Sequence, residues 1–410
     1  MFETKSMMLY LGGFATGVAA VRLSYFLLRE KQKDIYTKGK EIIWNAMKGT
    51  MAAAQLYLGD RMGFYLLLRD VSWISISDLA RRAQVNSRFL REWCAQQAAL
   101  GVLEIKEVKP ENSNNEDDYL YIRLAPGMED IVVNTESPHY EISLIEMMPS
   151  LMERARSVLP NAFRTGKGVP YNDKDICSAI DRAHRKHIRR VVIPQVIPAS
   201  TIARKILYQN NNSSPYKQQN QIRVAEIGCG GGNLLIALAT QFPNAVFHGF
   251  EISDVAIEMC QQRIQASHLT NVYIHDARLE PLGANSTVFD LAFTYDVLHD
   301  APDPYDLIAQ TFRALKPTGA FIIGDIAALD SVANNIKNHP AAVTLYGIST
   351  CLCLASALSE EPKDNFKQAG LGTLGWTIPT SFSALHSAGF SRVRVLLQVD
   401  NMRWVEASCT

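Results

Sequence analysis

The residues best suited to chemistry stand in a short run, Glu226-Ile-Gly228-Cys-Gly230-Gly-Gly232-Asn233. A strand-like RVAEIG leads into it and a helix-like NLLIALATQF leads away. Glycines at such a turn let the backbone come close to a ligand. A dinucleotide fingerprint wants glycine where Asn233 stands, and no Walker lysine follows, so a P-loop is excluded. What remains is ExGxGxG, with Glu251 closing the next strand and Asp276 closing the one after. Glu251 can accept from both hydroxyls of a ribose. Glu226 can meet an ammonium, directly or through a neighbour. This acidity suits a cationic amino-acid ligand better than a pyrophosphate.

A second group follows the fourth strand of the same region, Tyr295-Asp-Val-Leu-His299-Asp300. An imidazole with a pKa of about 6.5 suits proton transfer near neutrality. Asp300 or another carboxylate could orient the ring. The competing reading is a histidine that caps a helix or packs at a strand end. His184 and His187 lie in AIDRAHRKHIRR, which reads as a solvated helix face. Cys351 and Cys353 have no histidine or third cysteine near them in sequence, so the pair is not read as a metal site, and no metal is expected.

These groups need a scaffold. From residue 222 the pattern alternates: strand RVAEIG, helix NLLIALATQF, strand AVFHGFEI, helix SDVAIEMCQQRIQASH, strand NVYIHDA, strand FDLAFTYDV, helix DPYDLIAQTFRALK and strand GAFIIGDI. VRVLLQV and RWVEASC read as a closing hairpin. Repeated βα units predict a parallel, doubly wound sheet. Ligands of such sheets bind at the carboxyl ends of the strands. Upstream, Ser77 reads as the N-cap of SDLARRAQV, Asn86 or Ser87 caps SRFLREWCAQQAALG, and Gly101 ends it. Strand-like VLEIKEV and YLYIRLA follow, which together predict a winged helix.

VAEIGCGGG, FEIS, HDARL and LKPTGAFII resemble the ordered motifs of class I S-adenosylmethionine-dependent methyltransferases. GDRMGFYLLL, FRTGKGVPY, YDVLHDAPDP, GLGTLGW and DNMRWVEAS extend the resemblance to a subfamily with an N-terminal winged helix. It implies an α/β fold, a Rossmann-like seven-stranded sheet, and S-adenosyl-L-methionine as cofactor. By that resemblance Gly228, Gly230 and Gly232, with Glu226 behind them, face the cofactor's amino-acid part. Glu251 and Ile252 face its ribose end, Asp276 and Ala277 its adenine, and Tyr295 and Asp296 the wall beside the methyl group. Tyr171 closes over the cofactor, and the helix that carries His184 and His187 lies near the substrate side. VLHDAPDP also resembles the LHDW segment of winged-helix small-molecule O-methyltransferases, whose histidine is the general base; Ala301 replaces the tryptophan here.

The expected organisation is residues 1–40 as an apolar segment with a basic flank, 41–140 as the winged-helix and dimerisation domain, 141–220 as a helical linker with a polar insert, and 221–410 as the methyltransferase domain. Residues 7–28 carry a single charge, Arg22. A helix there would span about 33 Å, enough for a bilayer core. Five basic residues against two acidic ones in 29–40 then place the rest in the cytosol. The chain has 41 basic and 41 acidic residues, so no overall excess attracts nucleic acid. Arg88 and Arg91 would sit on a recognition helix, but the wing is acidic, and a packing and dimerisation role is expected instead. Met147, Met148, Leu151, Leu345, Leu352 and Leu354 point to an apolar acceptor. The expected function is methyl transfer to an oxygen or nitrogen of a small molecule, with His299 as base. The alternatives are a cofactor-sensing regulator and a catalytically inactive scaffold.

Overall fold

The computed structural model describes residues 33–108, 116–209, 221–283, 288–360 and 370–409. The apolar segment 7–28 and most of the polar insert lie outside the described residues, and with the former lies the membrane expectation. Among the described residues no helix is long and apolar enough to cross a membrane.

The amino-terminal part opens with a helix over 33–61. Strand β1 (Ile74–Ser75), helices Ile76–Ala83 and Ser87–Leu100, and strands β2 (Leu103–Glu107) and β3 (Leu120–Leu124) follow. The strands form an antiparallel sheet in the order β1-β3-β2. The first short helix starts before Ser77. Ser75 is extended and its Oγ accepts from the Asp78 amide, so Ser75 is the cap. Asn86 caps the next helix, and Gly101, with φ of 90°, ends it. Phe64, Tyr65, Leu68 and Trp93 make the local core. Trp93 Nε1 donates to the Gln55 carbonyl at 3.0 Å and ties the long helix down. Met47, Met51, Leu58 and Met62, spaced as a packing stripe, are exposed.

The second part is a seven-stranded sheet: β4 (Arg223–Ile227), β5 (Val246–Glu251), β6 (Val272–Asp276), β7 (Phe289–Tyr295), β8 (Leu315–Ile326), β9 (Arg392–Val399) and β10 (Met402–Ser408). Its order is β6-β5-β4-β7-β8-β10-β9. Neighbouring strands from β6 to β8 are parallel, and β10 runs antiparallel to both β8 and β9. Residues Val224–Ile227 are buried in succession, as expected of a parallel strand covered on both faces. One face packs under Ile188–Leu207 and the helix Asn233–Gln241; the other packs under helices Pro304–Ala314 and Ile378–Ala388. Strand order reverses between β4 and β7, and a crevice at that switch point is where such a sheet binds its ligand.

A glycine controls the packing beside this point. Gly324 pairs with Tyr295 on β7 and with Trp404 on β10. A Cβ on Gly324 would stand 2.4 Å from the Trp404 ring. Its absence lets Trp404 stack on Tyr295, with ring centroids 5.3 Å apart. Overpacking of this kind costs about 1–3 kcal/mol. Gly324→Ala should therefore lower Tm by about 2–12 °C in a thermal melt, and adding Trp404→Phe should restore part of the loss. An unchanged Tm would contradict the stacking role.

Candidate active site

The loop after β4 turns on glycines in the left-handed region: Gly228 at φ 67°, Gly230 at 54° and Gly232 at 80°. Cβ atoms on Gly228 and Gly232 would strike Val297 and Cys260 within 2.6 Å. Gly230 differs, because no atom lies within 4 Å of where its Cβ would stand. Its Cα therefore faces open space. Glu251 braces the loop. Its Oε2 accepts from the Gly230 amide at 2.8 Å, and its Oε1 accepts from the Ile252 and Ser253 amides at 2.8 and 2.9 Å. Glu251 Oε2 thus keeps a lone pair for an incoming hydroxyl. Glu226 is buried, with no hydrogen bond to its Oε2, and burial pushes its pKa well above the ordinary value. Ile252 is exposed beside Glu251. Asp276 is held by Arg278 at 2.6 and 2.8 Å, which lowers its pKa, and Arg278 reaches on to Asp254 at 2.5 Å. The Ala277 amide donates to the Glu251 carbonyl at 2.9 Å, placing Asp276 and Ala277 at the same edge.

Helix Lys174–His187 lies across these strand ends. Asp181 accepts from Arg263 through both oxygens at 2.5 Å, and Arg263 also donates to the Gly231 carbonyl at 2.8 Å. Asn233 Nδ2 donates to the Asp181 carbonyl at 2.7 Å. This locks the helix onto the glycine loop, so its histidine face is turned to the sheet and not to solvent. His184 and His187 lie against Tyr295, with ring centroids 4.4 and 5.7 Å away, and His187 is pushed down to about 4, chiefly by burial. Tyr295 itself is buried in this ring stack, and burial raises its pKa well above normal.

Asp296 sits at φ 63°, a backbone region that non-glycine residues rarely occupy. Such strain clusters at functional sites. Its Oδ2 lies 3.1 Å from His184 Nε2, and its buried Oδ1 has no hydrogen bond. Burial opposes its charge, but His184 and His299 outweigh burial and hold the carboxyl at about 2. Tyr171 is placed over the same space. It packs with Met147, Leu151, Ile176 and Leu352, and the neighbouring Asn172 Oδ1 accepts from Ser253 Oγ at 3.2 Å. Residues 168 and 169 are bonded to the Leu358 and Ala355 carbonyls, both at 2.8 Å.

His299 lies beneath, 2% exposed. Its Nδ1 is 2.7 Å from Asp325 Oδ1, at the end of β8. Asp325 Oδ1 also accepts from the Ile326 amide at 2.7 Å, and Oδ2 accepts from the Leu298 and His299 amides at 3.0 and 3.3 Å. A carboxylate taking three backbone N–H groups is an acceptor, so His299 Nδ1 carries a proton and Nε2 is the nitrogen that gains or loses one. Burial disfavours the imidazolium, but Asp325 outweighs it and the pKa is raised well above normal. Asp300, beside it, is pushed up to about 7 by burial. Donor atoms of His299, Asp300 and Cys353 lie within 4.8 Å of one another.

The structure thus brings the predicted Glu226, Gly228, Gly230, Gly232, Glu251, Tyr295, Asp296 and His299 to one end of the sheet, with Ile252, Asp276 and Ala277 along its edge. Sequence reasoning missed three groups. Asp325 was legible as an acid closing GAFIIGDI at the switch-point end. His184 was hidden by the basic residues around it. Cys353 comes from about fifty positions away and had no local signal.

Residues 218–372 match the family model described as a methyltransferase domain. This part of the chain carries a methyltransferase domain, on the seven-stranded sheet described above. The chain is 30% identical over 108 residues to a ubiquinone biosynthesis O-methyltransferase of Haemophilus ducreyi, covering 25% of this chain and 45% of that one. It is 29% identical over 112 residues to a 27-O-demethylrifamycin SV methyltransferase of Amycolatopsis mediterranei, covering 27% and 41%. The chain thus spans less than half the length of these curated relatives. Among solved structures, human N-acetylserotonin methyltransferase in complex with SAM superposes with a TM-score of 0.63 at 16% identity, covering 90% of this chain and 97% of that one. Mitomycin 7-O-methyltransferase gives 0.58 at 16%, covering 92% and 99%. At these identities the likeness is one of fold.

Gly230→Val should weaken S-adenosylmethionine binding by about 100-fold in calorimetric titration, because a β-branched residue at positive φ costs roughly 1–3 kcal/mol and its side chain fills the ligand space. Retained affinity in a folded variant would contradict the placement of the loop.

Proposed function

We propose that this protein transfers a methyl group from S-adenosylmethionine to an oxygen or nitrogen of a small, apolar acceptor, with His299 as general base. The observation that carries this reading is the Asp325-held imidazole of His299 at the same strand ends as the glycine cradle, at 2.7 Å from its carboxylate partner.

The residues present fit S-adenosylmethionine. The open side of Gly230, the spare lone pair of Glu251 and the unpartnered, charged Oδ1 of Asp296 suit backbone approach, ribose hydroxyls and a cationic amino-acid end respectively. When bound, the cofactor supplies an electrophilic methyl on a sulfonium. The chain's own work is then to exclude water, align the acceptor and remove its proton. Tyr171 and the apolar Met147, Leu151 and Leu352 cover the acceptor space, which favours an apolar molecule and a dry site. Once His299 Nε2 has released its own proton, which the raised pKa makes a step favoured at alkaline pH, it takes the acceptor's proton as the methyl bond forms. Asp325 holds Nδ1–H, keeps Nε2 aimed and stabilises the imidazolium. Proton removal of this kind contributes roughly 10² to 10⁴ in rate.

Two further readings belong with this proposal. The exposed stripe Met47, Met51, Leu58 and Met62, with Ile43 and Trp44, supports homodimerisation through the helix over 33–61. Membrane anchoring through residues 7–28 rests on their sequence alone, with the rest of the chain facing the cytosol. A regulator that binds DNA is less well supported, because Arg88 pairs with Glu92, and Arg91 lies 3.4 Å from Asp117. Paired arginines have little charge left for phosphates.

His299→Ala should lower turnover by roughly 10² to 10⁴ and leave cofactor affinity unchanged. Asp325→Asn should lower turnover more than it changes acceptor KM, since it disturbs ring orientation and not binding. Steady-state kinetics with any accepted substrate tests both. Full turnover in His299→Ala would remove it from the mechanism.

A further inference from the structure

Methyl transfer as described uses His299 but leaves two of its neighbours, the half-buried Asp300 and the buried Cys353, without a task. Asp300 follows it directly, and its carboxylate has no hydrogen-bond partner among the described residues. Cys353 comes from the helical segment Ser349–Ala357 and is 6% exposed. One donor atom from each of His299, Asp300 and Cys353 falls within 4.8 Å of the other two. Imidazole nitrogen, thiolate sulfur and carboxylate oxygen are the three donor types that zinc takes. Tetrahedral donors around zinc stand about 3.5 Å apart. Side-chain rotations of about an ångström would close the shell. Once the metal has displaced the protons on Nε2 and the thiol, the imidazole, thiolate and carboxylate together carry two negative charges, which match a divalent cation.

The second observation is independent of this spacing. A zinc-bound histidine usually donates its other ring N–H to a carboxylate, which fixes the tautomer and aims the ligating nitrogen. Asp325 does this for His299, at 2.7 Å through Nδ1, and is itself fixed by three backbone amides. Nε2 is therefore the nitrogen left for a metal. Three protein ligands leave the fourth position open to water or to another small ligand.

We propose that His299, Asp300 and Cys353 bind one zinc-type divalent cation, and that the bound ion switches methyl transfer off. The ion and the acceptor's proton compete for the same lone pair on Nε2. The inhibitory consequence rests on the methyl-transfer reading, whereas the binding itself does not.

The test titrates the full chain with Co²⁺ as a spectroscopic probe and, separately, with Zn²⁺. The expected result is one equivalent of Co²⁺, with a near-ultraviolet sulfur-to-cobalt charge-transfer band. Cys353→Ser should lose the band and weaken metal affinity at least tenfold, and Cys351→Ser should keep both. S-adenosylmethionine titration of each variant without metal verifies that it is folded. In turnover, stoichiometric Zn²⁺ should inhibit the wild type, and Cys353→Ser should need at least ten times more. A wild type without the band, or a Cys353→Ser protein that keeps it, overturns the site. A protein that binds Co²⁺ with the band but does not bind S-adenosylmethionine keeps the site and overturns the methyl-transfer reading. One that binds S-adenosylmethionine but no Co²⁺ does the reverse.

Discussion

The arrangement depends on one buried carboxylate. Asp325 closes β8 at 2% exposure and would be costly there without partners. It has four, the amides of Leu298, His299 and Ile326 and the ring of His299. Hydrogen bonds to charged groups contribute about 1.5–3 kcal/mol each. The carboxylate thereby welds the turn after β7 to the end of β8 and sets the tautomer of the histidine. Structure and chemistry meet in the same atoms: what holds the backbone turn also directs Nε2.

The rest of the sheet supports this junction. Gly324 precedes Asp325, and its carbonyl accepts from the Asp296 amide at 2.8 Å. The missing side chain at Gly324 lets Tyr295 and Trp404 stack, which fixes β7, β8 and β10 at the height of the site. On the other side, the Asp181–Arg263 pair fastens helix Lys174–His187 to the glycine loop. Asp296 stands between the two halves. It faces His184 from the helix and lies 3.8 Å from His299 Nδ1. Its strained backbone is the cost of reaching both.

Much of the fold was legible because its signals are local. ExGxGxG fixes a strand, a turn and a helix within a dozen residues, and the acids closing β5 and β6 follow from the same alternation. Asn86 and Gly101 were readable as caps for the same reason. The Ser75 cap was misplaced by two residues because Ser75 and Ser77 offer the same chemistry and only backbone geometry separates them. The basic residues of the helix over 174–187 suggest solvent, and only the family resemblance turned its histidines toward the site, because Asp181 and His184 find partners only in three dimensions. Cys353 needed the tertiary fold altogether. For the exposed stripe Met47, Met51, Leu58 and Met62, periodicity alone does not say whether a partner lies within the same chain.

A crystal structure with S-adenosylhomocysteine and an acceptor analogue tests the central claim most directly. The account predicts the ribose hydroxyls on Glu251, the amino-acid end at Gly230 and Asp296, and the acceptor oxygen or nitrogen about 3 Å from His299 Nε2, with Nδ1 still on Asp325. An acceptor seated away from His299, or a His299 ring swung off Asp325 in the complex, would contradict it.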